Sequence, residues 1–259
     1  MRLPETILVV GGSGGIGSAL CNRLHDDGHT VIATSRRPAV QGKAGAAYQV
    51  ALDLQSSHLR ADIDGILERF PEINTVIHCA GQNRLAGSAD LSDAALDQML
   101  TVNLRSAMTV GAVVGERFKA RGHGTLVYIG SMLGQIGVPG YSAYCASKFG
   151  LRGYAEALRR ELHHHGIEVL TVSPRTTRTA MNSETAIQLN EQLGNHADTA
   201  EYVAGRIVSA WEKSRARSPI GWPERLFAWL NSNFPFLVDK ALSRQASTVE
   251  SHLISGESH

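Results

Sequence analysis

The chain has 259 residues, enough for one α/β domain or two small ones and ample for a large core. Its 25 Lys and Arg balance 24 Asp and Glu to a formal net charge of +1, which gives no footing for nucleic acid or a strongly acidic partner. Cys21, Cys79 and Cys145 are odd in number, far apart and without a C-x-x-C pair, so neither a zinc site nor a disulfide framework is expected, and a reducing, cytoplasmic compartment is the simplest reading.

An apolar strand begins at Thr6–Val10, leaving no room for a signal peptide, and no apolar run is long enough to span a bilayer. Further short β-branched runs follow at 30–34, 47–52, 75–78, 125–130 and 167–172. They are apolar on both faces, as strands of a buried parallel sheet are. Helix-length amphipathic stretches lie between them at 16–27, 58–70, 93–121 and 143–165. Strand–helix alternation implies right-handed crossovers, and so an α/β fold with one doubly wound, Rossmann-like parallel sheet and helices on both faces.

The first strand runs into Gly11-Gly12-Ser13-Gly14-Gly15-Ile16-Gly17, where a helix opens. Glycines there let backbone amides approach a pyrophosphate, and the helix N-terminus favours the anion. Two spacings fit: Gly12, Gly14 and Gly17 as G-x-G-x-x-G, or Gly11, Gly15 and Gly17 as G-x-x-x-G-x-G. The second strand ends Thr34-Ser35-Arg36-Arg37, with no carboxylate to grip a ribose 2′-hydroxyl. A guanidinium suits a 2′-phosphate, so the expected cofactor is NADP(H), with Arg36 as first contact and Ser35 and Arg37 assisting. Asp53 and the adjacent Leu54, after the third strand, fall where adenine could bind.

Tyr144 and Lys148 are four apart, so on a helix they share a face. A phenol with a pKa near ~10 is a poor base at neutral pH. A nearby ammonium should lower it, making Tyr144 a workable acid/base toward a carbonyl oxygen. The Ser131 hydroxyl, at the end of the fifth strand, could polarise the same oxygen.

Gly11–Gly17, Asn103, Ser131, Tyr144 and Lys148 together resemble the short-chain dehydrogenase/reductases in order and spacing, over roughly residues 5–180. The resemblance implies that Thr101-Val102-Asn103 is the element in which an Asn distorts its helix and holds a water linking Lys148 to solvent. It also implies that Lys148 binds the nicotinamide ribose. Cys79-Ala80-Gly81 stands where Asn-Ala-Gly is common, and Cys79 is read as structural. Pro174-Arg175-Thr176-Thr177 replaces the usual Pro-Gly, with Pro174, Thr177 and Thr179 expected near the nicotinamide carboxamide. Arg175 either faces solvent or meets a phosphate or an acidic substrate, and the first is favoured. The implied activity is interconversion of a carbonyl and an alcohol. The expected substrate is a small, apolar or lipid-like molecule against Ser131, Met132, Leu133, Tyr144 and Met181. Alternatives are a 3-oxoacyl-carrier-protein reductase and a non-catalytic NADP-binding or membrane-peripheral module. A homodimer on the two long helices, 99–118 and 143–162, is expected, with a tetramer as the alternative.

The 174–195 segment is polar and expected to be mobile. A helix should follow at 198–213, capped by Asp198 or Thr199. Residues 1–220 are expected to form the catalytic domain, 221–245 an aromatic amphipathic extension of it, and 246–259 a flexible tail. In the extension, Leu226, Phe227 and Leu230 share one helical face, and Leu237, Val238, Ala241 and Leu242 a second. These faces could cover the core or an oligomer contact, roof an apolar substrate, or enter a membrane interface between Trp222 and Leu242. His163-His164-His165 points in divergent directions and reads as a solvated helix end, not a metal site.

Overall fold

A computed structural model describes residues 2–37 and 45–256. Seven strands form one sheet in the order β3-β2-β1-β4-β5-β6-β7, every pair parallel. They are β1 (Thr6–Val10), β2 (Thr30–Ser35), β3 (Tyr48–Ala51), β4 (Ile73–His78), β5 (Gly124–Ile129), β6 (Ile167–Ser173) and β7 (Arg217–Pro219). The order reverses at β1 and β4, which opens a crevice beyond their C-terminal ends.

The side-chain alternation of a strand explains the layers. On β1, Leu8 and Val10 point into a core shared with α2 (Leu59–Arg69), α4 (Ser106–Arg121) and α5 (Ser142–Leu162). Ile7 and Val9 point the other way, into a core shared with α1 (Gly15–Asp26) and α7 (Ala200–Glu212). Both faces of the central strands being covered, these strands are mostly apolar, with no polar alternation. Trp211 belongs to the second core and is fully buried, edge-on to His29. It is therefore no part of the aromatic cluster further along the sequence.

The helix read as one element at 93–121 divides into α3 (Asp93–Leu100), a π turn at Thr101–Arg105, and α4. The segment expected to be mobile contains α6 (Glu184–Gln192), because Ser183 caps the Ala186 amide at 3.2 Å and Ala186 and Leu189 are buried. Thr199 caps α7 by accepting from the Tyr202 amide at 3.2 Å.

The C-terminal segment forms α8 (Glu224–Asn233) and α9 (Pro235–Gly256). The inward side of α8 is only partly the expected apolar face. Glu224, Ala228, Leu230 and Asn231 are its less exposed positions, and Asn231 Nδ2 donates to the Gln135 carbonyl at 3.0 Å. Leu226 faces outward, as do Trp222 at 70% and Trp229 at 55% exposure, while Phe227, though half-exposed, lines the cavity in the crevice. The expected flexible tail is helical through Gly256. Val238, Leu242, Gln245 and Val249, at spacings of four, three and four, form its inward seam. Val249 is buried, close to Gly140. Residues 257–259 of that tail lie outside the described residues.

Candidate active site

The crevice holds one continuous cavity of about 590 Å3, running from the glycine turn past Ser131, Tyr144 and Lys148 to α9. Gly11 has φ +86°, a region side chains avoid, and a Cβ there would strike Ala80 at 2.7 Å. A Cβ on Gly15 would meet Thr179 at 2.5 Å, and one on Gly17 would run into the Gly11 carbonyl. Gly14, by contrast, has only ordinary clearance, its nearest atom at 3.5 Å. Gly12 is closed off by Ala33 but does not line the cavity. The G-x-x-x-G-x-G spacing is thus the one whose three glycines all meet a close approach and all line the cavity. Ser13 and Ile16 line it too. The first turn of α1 carries no acidic residue, so its amides face the cavity as an uncompensated anion-binding end.

Ser35, Arg36, Asp53 and Leu54 line the far wall. Arg37, exposed in the bend after β2, is not among the residues that line it. Asp53 also closes its own turn, accepting from the Gln55 amide at 3.0 Å. Cys79, Ala80 and Gly81 line the floor. The Cys79 amide donates to the Val10 carbonyl at 2.9 Å, and burial pushes its thiol up to about 12, as expected of an inert cysteine.

Ser131 follows β5, and its Oγ accepts from the Leu133 amide at 3.1 Å. Tyr144 and Lys148 project from one face of α5, with Nζ 5.8 Å from the phenol ring centroid. Lys148 Nζ donates to the Ile129 carbonyl at 3.1 Å. The expected lowering of the Tyr144 pKa by Lys148 is not met; desolvation, not the ammonium, sets this phenol. Burial pushes the phenol up to about 12, against a smaller opposing pull from the Ser131 hydroxyl. Burial also lowers Lys148 to about 8.

Asn103 is fully buried behind the cavity wall, within the π turn. Its Oδ1 accepts from the Gln82 amide at 2.8 Å; its Nδ2 donates to the Gln82 carbonyl at 2.9 Å and to Ser147 Oγ at 3.0 Å. A Cβ on Gly81 would lie 3.4 Å from both Asn103 Oδ1 and Lys148 Nζ, so bare backbone separates the two. Gln82 and Ser147 carry no signal in the sequence, since their importance comes only from this fold-imposed proximity.

Pro174, Thr177, Thr179, Met132, Leu133 and Met181 all line the cavity. Arg175 corrects the solvent-facing expectation. Its Nε and one terminal nitrogen donate to Asp198, and the other to Glu224 at 3.3 Å. At the far end the walls are apolar: Ile136, Val138, Phe227, Val238, Leu242 and Val249. Among the described residues there is no cluster of His, Cys, Asp or Glu that could hold a metal ion, and no helix is long and apolar enough to cross a membrane.

Residues 5–190 match the family model for short chain dehydrogenase. A short-chain reductase protein, NovJ, of Streptomyces niveus is 30% identical over 86% of this chain and 85% of its own length. An acetoacetyl-CoA reductase of Allochromatium vinosum is 33% identical over 73% of this chain and 79% of its own. In fold, the chain is similar to a solved short chain dehydrogenase from Burkholderia cenocepacia in complex with NADP. That likeness has a TM-score of 0.79 at 19% identity, covering 93% of this chain and 99% of that one.

Proposed function

Since the chain belongs to the short-chain dehydrogenase family of oxidoreductases, we propose that it uses NADP(H) to interconvert a carbonyl and an alcohol on an apolar substrate, with Tyr144 passing the proton. One observation carries this reading: Tyr144, Lys148 and Ser131 share a cavity with a cradle that any Cβ at Gly11, Gly15 or Gly17 would fill. The residues present fit the cofactor. The amides of Gly15–Gly17 would receive the pyrophosphate, the Gly14 amide being held by the Gly11 carbonyl at 3.2 Å, and Arg36 with Ser35 would meet the 2′-phosphate. Asp53 and Leu54 flank the adenine. Cys79, Ala80 and Gly81 provide the floor, and Pro174, Thr177 and Thr179 enclose the nicotinamide end. NADPH supplies the hydride.

The chain's own residues handle the oxygen. The Ser131 hydroxyl donates to the carbonyl oxygen and polarises it. Tyr144, held protonated by burial, delivers the proton to that oxygen as it becomes an alcohol. Lys148 orients the ribose and, when charged, stabilises the phenolate left behind. Asn103 holds the water that returns a proton from solvent.

Met132, Leu133 and Met181 border the reacting carbon's side, and the inner seam of α9 continues the apolar wall. A 3-oxoacyl thioester is the favoured substrate, supported by likeness to an acetoacetyl-CoA reductase. Residues 1–220 are proposed as the catalytic domain, with α8 and α9 as its roof. A homodimer through α4 and α5 is supported by Met108 and Phe149, which remain exposed on those helices. The test is NADPH-dependent turnover of 3-oxoacyl thioesters of graded chain length. Turnover should rise with chain length in the wild type, and Leu242→Trp should remove that rise while sparing the shortest substrate. A flat series in both proteins would contradict the apolar-substrate reading.

A further inference from the structure

The π turn that carries Asn103 is braced by two buried side chains with no part in the chemistry above, and we propose that His78 and Ser106 form a clamp that positions Asn103 in the active site. In an α-helix the Ser106 amide would reach the Val102 carbonyl. Here it donates instead to the Thr101 carbonyl, one residue further back, which is the π register. The Val102 carbonyl, passed over by that amide, receives the Ser106 hydroxyl at 2.7 Å.

That hydroxyl has a single proton and has committed it to Val102. It therefore meets the His78 ring, 3.1 Å away, as an acceptor, and the His78 proton sits on Nε2. Both side chains are buried. Burial holds His78 well below its usual range, at about 3, so the ring stays neutral and its donor stays on Nε2 across ordinary pH. His78 lies at the end of β4, in the central sheet, and gives the clamp a rigid anchor.

The widened turn has a consequence for Asn103. Each residue added to a helix rotates the downstream part by about 100° relative to the upstream part. Return to α register would swing Asn103 away from Gln82 or from Ser147, which it now bonds together. A serine hydroxyl bonded back to the fourth preceding carbonyl also bends a helix, and here it is locked in place by a second partner. Neither His78 nor Ser106 lines the cavity. They are positioning residues that act through Asn103.

The test uses the full chain, with two readouts. Ser106→Ala is a small change and should fold. It is expected to lower kcat about tenfold while KM and NADPH affinity stay within about twofold. It should also speed hydrogen exchange at the Gln82 amide, which donates to Asn103 Oδ1. His78→Leu should do the same, and His78→Gln, which keeps a donor of similar reach, should restore most of the rate. On an Asn103→Ala background, Ser106→Ala should cost nothing further in kcat, because the two act as a unit. Wild-type kcat in Ser106→Ala, a loss of rate without faster Gln82 exchange, or full additivity with Asn103→Ala would each overturn the clamp. The kinetic arm rests on the carbonyl-reductase reading; the exchange arm does not. A wild type inert toward carbonyls would fail that reading and leave Gln82 protection to decide the clamp.

Discussion

The Arg175 guanidinium holds both carboxylate oxygens of Asp198, at 3.0 Å through Nε and 2.8 Å through a terminal nitrogen. The pair joins the loop after β6 to the residue just before the α7 cap, and the link from Arg175 to Glu224 extends it to the start of α8. A cation in place of a small residue at the site's edge thus becomes a strut between the nicotinamide end and the roof. The Arg175 side chain is 19% and that of Asp198 9% exposed, so water screens the pair little. Removing one partner strands the other. Arg175→Ala should cost about 2–4 kcal/mol and lower Tm by roughly 6 °C or more. Arg175→Lys should recover only part of this, having no fork to match the carboxylate. Thermal unfolding of the three proteins checks it.

Lys148 couples stability to pH. Its folded pKa of about 8 lies below its usual 10.5, so the folded protein binds that proton less tightly than the unfolded chain does. Below pH 8 both states are protonated and burial of the charge exacts its full cost. Between pH 8 and 10.5 the folded state has released the proton, and stability rises with pH. The cost is about 3 kcal/mol. Lys148→Met should therefore be inactive yet melt higher than wild type at pH 7, with the advantage fading toward pH 10.5. Equal or lower melting at pH 7 would mean that the bond to Ile129 outweighs the buried charge.

Arg36 and Arg37, adjacent in sequence, should behave differently. Arg36 lines the cavity and Arg37 does not. Arg36→Ala should weaken NADPH binding about tenfold or more, the worth of a charge-assisted contact, and leave NADH binding little changed. Arg37→Ala should leave both within about twofold. Fluorescence titration with each nucleotide distinguishes them.

Much of this architecture is legible in the sequence alone, for identifiable reasons. The sheet declares itself because both faces of its central strands are buried, so runs such as Ile7–Val10 are apolar without alternation. Tyr144, Lys148 and Ser131 are legible because one helix and one strand end fix their spacing. Other features depend on contacts between distant segments and leave no local trace. The π turn is invisible to helical periodicity and shows only through the family resemblance at Thr101-Val102-Asn103, while the contact that braces it from β4, His78 to Ser106, leaves no local trace. The Arg175 ion pairs depend on where α7 and α8 begin. The inward side of α8 only partly follows its apolar pattern, because small Ala228 and hydrogen-bonded Asn231 face inward beside Leu230, so apolarity alone does not mark burial there. Sequence proximity shows Lys148 four residues from Tyr144 but not the burial of the phenol, which is why its pKa rises instead of falling.

Tyr144 as the proton donor in an NADPH-dependent carbonyl reduction is the central claim. The most direct measurement is turnover of a 3-oxoacyl thioester by wild type and Tyr144→Phe, paired with NADPH titration of both. NADPH binding should agree within about twofold between the two proteins, and Tyr144→Phe should lose rate by about a thousandfold or more, since only the proton donor is removed. Comparable turnover by both proteins, or NADPH binding with no turnover of any carbonyl by the wild type, would contradict it.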